Sequence, residues 1–284
     1  MKVSLPAAVF FIIPTVFLLR SSNACAQSND LASLHLNGRV KKIMETNQQA
    51  NAGAISKGPV GFMRSYEFNE QGKMTLEYFG IYDRPGNTII FHYDDNGFLT
   101  GSETSNPRSG ISSRVSIKND GQGKKLELIA CDRNNNVTGS VLKYKYDEKG
   151  NMTETWTGRV PVPLQLSTAY KYDGKGNKIS QTNYRVDGSS YITTTWTYDE
   201  KGNIVVKTAY KTDGKLFYWI TYKYDEQGNM IELNDFIANG TLSRKVLFEY
   251  EFDKSGNWIK KKERDGKEER SKTPFIQERT IEYY

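Results

Sequence analysis

Only two histidines, His35 and His92, stand in the 284 residues, so general-base chemistry near neutral pH would have to rest on carboxylates. The best-placed carboxylates are Glu154 and Glu232, which hold one position of an internal repeat; Ser180, Val206 and Lys260 hold it in other copies. Strict alternation puts that position on the same side as a run of aromatic residues. Repeated spacing of this kind makes ladder neighbours more readily than an acid/base pair. The sequence has no G-x-S-x-G, no H-E-x-x-H, no paired-cysteine motif and no phosphate-binding glycine loop. Cys131, in Ile129-Ala130-Cys131, reads as a small strand residue with no base near it in sequence. Asp132-Arg133-Asn134-Asn135-Asn136 alternates Asp and Asn as a calcium loop does, but calcium takes about 6–8 oxygens and no glutamate stands at loop position twelve. The expectation is a non-enzymatic protein with no catalytic residue, no metal and no cofactor.

Stacking is the other chemistry on offer. The chain holds 18 Tyr, 13 Phe and 4 Trp, and aromatic faces can stack on sugar rings or on peptide. The candidates for such binding are Trp156, Trp196 and Trp219, with Tyr144, Tyr170 and Tyr222. Against this stands the reading that the aromatics are the core of a leucine-poor sheet, since their burial supplies much of the stabilisation such a sheet can find. Trp219 lies in Leu216-Phe217-Tyr218-Trp219-Ile220, apolar on both faces, which favours a packed or interfacial place for it.

These residues recur because the segments that carry them recur. Tyr144 to Asn151, Tyr170 to Asn177, Trp196 to Asn203 and Tyr222 to Asn229 are near copies of Tyr-x-Tyr-Asp-x-x-Gly-Asn, and their aspartates Asp147, Asp173, Asp199 and Asp225 are 26 residues apart. Asp253 follows after 28. Weaker copies run from Tyr66 to Lys73, Phe91 to Phe98 and Ile117 to Lys124, making about eight repeats in all. An Asp, two polar residues, Gly and Asn between alternating segments suit a hairpin loop: a type I turn closed by a residue of positive φ, which Gly150, Gly176, Gly202, Gly228 and Gly256 supply. Halfway between these turns, Asp187-Gly188, Asp213-Gly214 and Asn239-Gly240 match two-residue type I′ hairpins. Each repeat is then two antiparallel strands of about 8–10 residues and two turns. Alternation sets Tyr144 with Tyr146, Tyr170 with Tyr172, Trp196 with Tyr198, Tyr222 with Tyr224 and Tyr250 with Phe252 on one face, and Lys145, Lys171 and Lys223 on the other. Met152, Ile204, Met230 and Trp258 should join the aromatic face, with Lys178 breaking the pattern. The fold class expected is all-β, an antiparallel meander forming one curled sheet, shell or barrel.

The first 26 residues read as a signal peptide: Lys2, an apolar stretch from Val3 to Leu19, and Ala24-Cys25-Ala26 before Gln27. Cys25 after Ala24 also admits a lipoprotein, although Ser22 and Asn23 stand where an apolar and a small residue are expected. The domain division is therefore 1–26 leader and 27–284 repeat sheet, clearest over 140–262. Removing the leader removes Lys2 and Arg20 and no acid, so the formal charge falls from +6 to +4. Lysine and glutamate alternate and no basic tract forms, which argues against a nucleic-acid partner.

The motif Tyr-x-Tyr-Asp-x-x-Gly-Asn resembles the YD repeat of the RHS (rearrangement hot spot) family of bacterial surface and secreted proteins. The likeness spans about Tyr66 to Lys262 and is strongest from Tyr144 to Asn229. It implies β-meanders that curl into shells or spirals, often at the cell surface, with a glycan as ligand; the leader leaves periplasm, cell surface or secretion as the location, and another envelope protein is the alternative partner. The repeats are too few to enclose a toxin, and no effector follows them. The working expectation is an exported scaffold for binding or structure, with carbohydrate as the implied ligand. An outer-membrane barrel is the alternative, set back by charges expected on both faces; a protein-interaction module is another. The breaks in the repeat, 47–61, 159–163 and the charged last hairpin, are where function is expected.

Overall fold

The computed structural model describes residue 31 and residues 34–49, 62–81, 84–108, 110–159, 161–267 and 274–284. The leader and most of the 47–61 insertion lie outside them. Eighteen strands follow one another: β1 Val40–Gln49, β2 Phe62–Phe68, β3 Met74–Ile81, β4 Arg84–Tyr93, β5 Leu99–Asn106 and β6 Gly110–Asn119. Next come β7 Lys125–Cys131, β8 Val137–Tyr146, β9 Met152–Arg159, β10 Gln165–Tyr172, β11 Lys178–Tyr184 and β12 Ser190–Tyr198. The last are β13 Ile204–Lys211, β14 Leu216–Tyr224, β15 Met230–Ile237, β16 Leu242–Phe252, β17 Trp258–Asp265 and β18 Phe275–Tyr283. Each pairs antiparallel with the next, and β18 pairs with β1 from Val40↔Tyr283 to Gln49↔Phe275. The sheet is therefore a closed barrel, and no strand edge is left open among the described residues.

The turn motif forms the hairpin its composition demands. At Asp147 the backbone N–H donates to Asn151 O at 2.9 Å and the carbonyl accepts from Gly150 N at 3.0 Å, a type I turn followed by a residue of positive φ, Gly150 at 84°. One carboxylate oxygen of Asp147 accepts from Asn151 N at 2.8 Å and the other from Asn151 Nδ2 at 2.9 Å. The same pair of bonds recurs at Asp173 and Asp199. The weaker copies share the backbone pattern at Asn69, Asp94 and Asp120. So does the loop starting at Asp132, where Asn135 takes the positive φ of 64° and the carboxylate is held by three donors of its own loop. The intermediate turns differ from the type I′ expected of them. Arg185 N donates to Ser189 O and Gly188 N to Arg185 O, and among the described non-glycine residues only His35 and Asn135 have positive φ. Asp187, Asp213 and Asn239 therefore occupy the ordinary right-handed region, and the turns that hold them share the design of the main ones.

Hydrogen bonds from Asn151, Asn177 and Asn203, countered in part by desolvation, hold the Asp147, Asp173 and Asp199 carboxyls below their ordinary range. A depressed folded-state pKa contributes stability that is present above the unfolded value and is lost as pH falls through the folded one. Stability is expected to decline on acidification below about pH 4, read as a falling urea midpoint. Asp199→Asn should flatten that decline at little cost in stability at pH 7, because Asn69 already fills this place and accepts from Gln71 N and Lys73 N. Asp199→Ala should lower the urea midpoint more than Asp199→Asn does, because alanine cannot accept from Asn203.

A bulge beside every main turn decides which face each residue takes. Tyr146 pairs with Met152 but Lys145 pairs with Glu154, so Thr153 is the extra residue; the shift recurs between Lys171 and Tyr172, Thr197 and Tyr198, Lys223 and Tyr224, and Glu251 and Phe252. Met152, Ile204, Met230 and Trp258 therefore stay opposite aromatic residues, as expected, and Lys178 stands opposite Tyr172. Glu154, Glu232 and Lys260, expected on that face, are carried to the opposite one. The aromatic face is concave: Thr155, Thr194, Ala209 and Val246, all in register with it, are buried although no second layer covers them among the described residues.

Tyrosine hydroxyls knit this face together. Tyr146 Oη donates to Lys125 O at 2.8 Å, Tyr172 to Met152 O at 2.8 Å, Tyr198 to Lys178 O at 2.7 Å and Tyr224 to Ile204 O at 2.9 Å. In the last full repeat Phe252 replaces that tyrosine, and Tyr250 makes the bond instead, to Met230 O at 2.9 Å. The second tyrosine of the motif is thus kept for its hydroxyl as well as its ring. Near the seam the N-terminal residues Leu31 and Leu36 pack with Val40, Ile43, Tyr66 and Phe68 into the buried apolar cluster.

Candidate functional site

The residues expected to bind a ligand fall on two different faces. Tyr144, Tyr170, Trp196 and Tyr222 are concave, whereas Trp156 pairs with Lys143 and Trp219 with Thr208 on the convex side. Trp156 Nε1 donates to Glu154 at 2.6 Å beneath Lys145, and Trp219 stacks on Phe236 with centroids 4.9 Å apart. No single surface gathers the six. The nearest approach to a cluster is Lys178, whose Nζ lies 4.7 Å from the Trp196 ring centroid and 5.5 Å from that of Tyr170. The turn residues Asp225, Gly228, Asp253 and Gly256 form turns of the same design as the others. Cys131 is a free thiol at the end of β7.

A part-enclosed cavity of about 410 Å³ opens on the concave face where the barrel closes, against β1, β2, β3, β17 and β18. Its charged groups are Glu45, Arg64, Lys261 and Arg279; Phe62, Tyr66, Phe79 and Trp258 supply its aromatic wall, and Asn47 and Gln277 its amides. Register builds it. Glu45 of β1 stands opposite Arg279 on one side and Arg64 on the other. Arg279 takes the carboxylate, with Nη2 2.7 Å and Nε 2.8 Å from Glu45 Oε1, and lies 3.5 Å over the Trp258 ring. Arg64 lies 5.0 Å over Phe79, which stacks on Phe62 at 5.4 Å. Lys261 pairs with Glu263 at 3.1 Å. Gln277 donates from Nε2 to Asn47 Oδ1 at 3.1 Å, while its own Oε1 is buried without a donor.

Such a site can hold an anion with an apolar body; it shows no nucleophile paired with a base. Among the described residues no group of three potential metal ligands converges. Repeat logic missed Glu45, Arg64, Gln277 and Arg279 because they sit where the copies depart from the motif. The signal that could have found them was the pair of breaks itself: the 47–61 insertion joins β1 to β2, and the irregular last hairpin supplies β17 and β18.

The convex face is laced with ion pairs: Lys145–Glu154 at 2.8 Å, Lys223–Glu232 at 3.0 Å, Lys42–Glu67 at 2.8 Å, Lys260–Glu278 at 3.1 Å and Arg264–Glu249 at 3.0 Å. Among the described residues no helix is long and apolar enough to cross a membrane, which does not bear on strands.

No family model and no curated protein matches the chain. Among solved structures, a porin-like protein from Bacteroides uniformis is similar over 87% of this chain and 99% of its own, at 11% identity and a TM-score of 0.49. A porin-like protein from Bacteroides vulgatus is similar over 86% and 98%, at 11% identity and a TM-score of 0.38. The Tc holotoxin pore of Photorhabdus luminescens is similar over 75% of this chain but 14% of its own, at 12% identity and a TM-score of 0.37. These likenesses are all-β and are too distant to assign an activity. The closed 18-stranded ring itself agrees with the expected barrel better than with an open scaffold sheet.

Proposed function

We propose that the protein is a non-catalytic, porin-like barrel of the cell envelope whose concave face is its working surface. Closure carries this reading: an even number of strands, every neighbour antiparallel and the last strand paired with the first, encloses a lumen with a polar and aromatic site. The carboxylates with the best repeat spacing, Glu154 and Glu232, are engaged by lysines on the other face, which supports a role other than catalysis. The turn motif supports kinship with YD-repeat proteins, and with it a glycan or an envelope protein as a binding partner.

The convex face bears on the setting. A Lys or Arg on the lipid face at mid-bilayer costs about 2–4 kcal/mol, and here lysines, arginines and glutamates pair on strand after strand. The barrel is therefore expected to remain in a detergent-free aqueous fraction after export. A second reading, insertion into the outer membrane, is favoured by the closed even-stranded ring. Fractionation of cells making the full chain, followed by flotation of the purified barrel with phospholipid vesicles, tests both. Recovery only with detergent, together with flotation, would overturn the aqueous setting.

A further inference from the structure

We infer that the seam cavity binds a small carboxylate with a flat apolar body and a hydroxyl donor, its carboxylate on Arg64 and its hydroxyl on Gln277 Oε1. Three observations converge on that chemistry. Glu45 faces two arginines in register but is taken by Arg279, and Lys261 is taken by Glu263 at 3.1 Å, so Arg64 is the cation of the wall left over. Arg64 has no carboxylate partner among the described residues; it lies over Phe79 and beside the Tyr66 hydroxyl, and its remaining N–H donors offer the fork whose geometry an incoming carboxylate matches. A buried acceptor without a donor carries a desolvation penalty that a ligand O–H would relieve, and Gln277 Oε1 is such an acceptor, its amide oriented by the bond from Nε2 to Asn47.

The apolar body follows from the walls. Phe62 and Phe79 form a stacked pair that stays half open to water, a flat surface at the rim of the cavity. The volume of about 410 Å³ lies within the range of small-molecule sites. The inference rests on the concave face being the working surface, but its test reads binding on the folded barrel. A failure here leaves the fractionation and flotation results as they stand.

Calorimetric titration of the full chain with 4-hydroxyphenylacetate, phenylacetate and 4-hydroxyphenylacetamide separates the two polar contacts. The hydroxy acid is expected to bind at least about tenfold more tightly than either analogue, each of which lacks one polar group. It should also protect Arg64, and not the exposed Arg108, from phenylglyoxal modification read by mass spectrometry. Arg64→Met should bring the ratio of acid to amide affinity close to one, and Gln277→Met should do the same for the ratio of hydroxylated to plain acid. Absence of saturable binding by the hydroxy acid, equal binding of the amide, or modification of Arg64 at an unchanged rate would each overturn the inference. The protection measurement uses the unaltered chain, so it decides the matter even if Arg64→Met does not fold.

Discussion

Replacing Arg279 by methionine is expected to remove about 1–3 kcal/mol of stability, because the largely buried Glu45 carboxylate loses its ion pair and is left to Arg64, which faces it in register without pairing with it. The two side chains keep only 8% and 15% of their exposure, and Arg279 also covers the Trp258 ring. Both strands of the pair are seam strands, so the loss should appear as a lower urea midpoint accompanied by faster amide exchange in β1 and β18. Adding Glu45→Gln to Arg279→Met should restore part of the loss, since the uncompensated charge disappears with the carboxylate. A single variant that unfolds within 1 kcal/mol of the parent would show that the pair does not hold the seam.

Asn257→Ala is expected to cost about 2–4 kcal/mol, far more than the same change in an earlier repeat. In the ordinary copies the motif asparagine serves its own turn, as Asn203 does by donating to Asp199 at 2.9 Å. Asn257 is turned to another use. Its Oδ1 accepts from Asn37 N at 2.7 Å, and its Nδ2 donates to Asn37 O at 2.9 Å and to Tyr283 Oη at 2.7 Å, all with the side chain 1% exposed. The Asp253 carboxylate accepts from the Tyr283 hydroxyl in place of the amide. Removing this one side chain strips partners from the N-terminal segment and from β18 together. Asn203→Ala, losing one local bond, should cost about 1 kcal/mol. Equal urea midpoints for the two variants would sink the distinction.

Much of the barrel was legible because its information is local and repeated. Asp147 and Gly150 specify a turn whatever lies around them, and the alternation of Tyr144, Lys145 and Tyr146 specifies two faces. Two things were hidden. The bulge at Thr153 has no residue signature, since Ile179, Val205 and Ile231 stand in the same place; yet it reverses the face of Glu154 and Glu232. Closure was hidden as well. Whether β18 meets β1 depends on twist and strand number summed round the ring, and no segment encodes that by itself. The candidate site was correspondingly obscure: Arg64 and Arg279 are 215 positions apart in sequence and meet across Glu45 only once the ring has closed. Trp156 and Trp219 lie one residue out of phase with the concave face, so the six candidate aromatics do not share one surface.

The seam bears on how such a chain can change in length. Because β18 runs antiparallel to β1, the number of strands between them must be even. Duplication or loss of one whole 26-residue unit adds or subtracts two strands and leaves the closing pair in the same relation, whereas a change of half a unit would bring the last strand to the first in parallel. The ring can therefore be resized only in whole copies. Its bore becomes a quantity set by copy number, while the charged pocket, built from the first and last strands, travels unchanged with the closure.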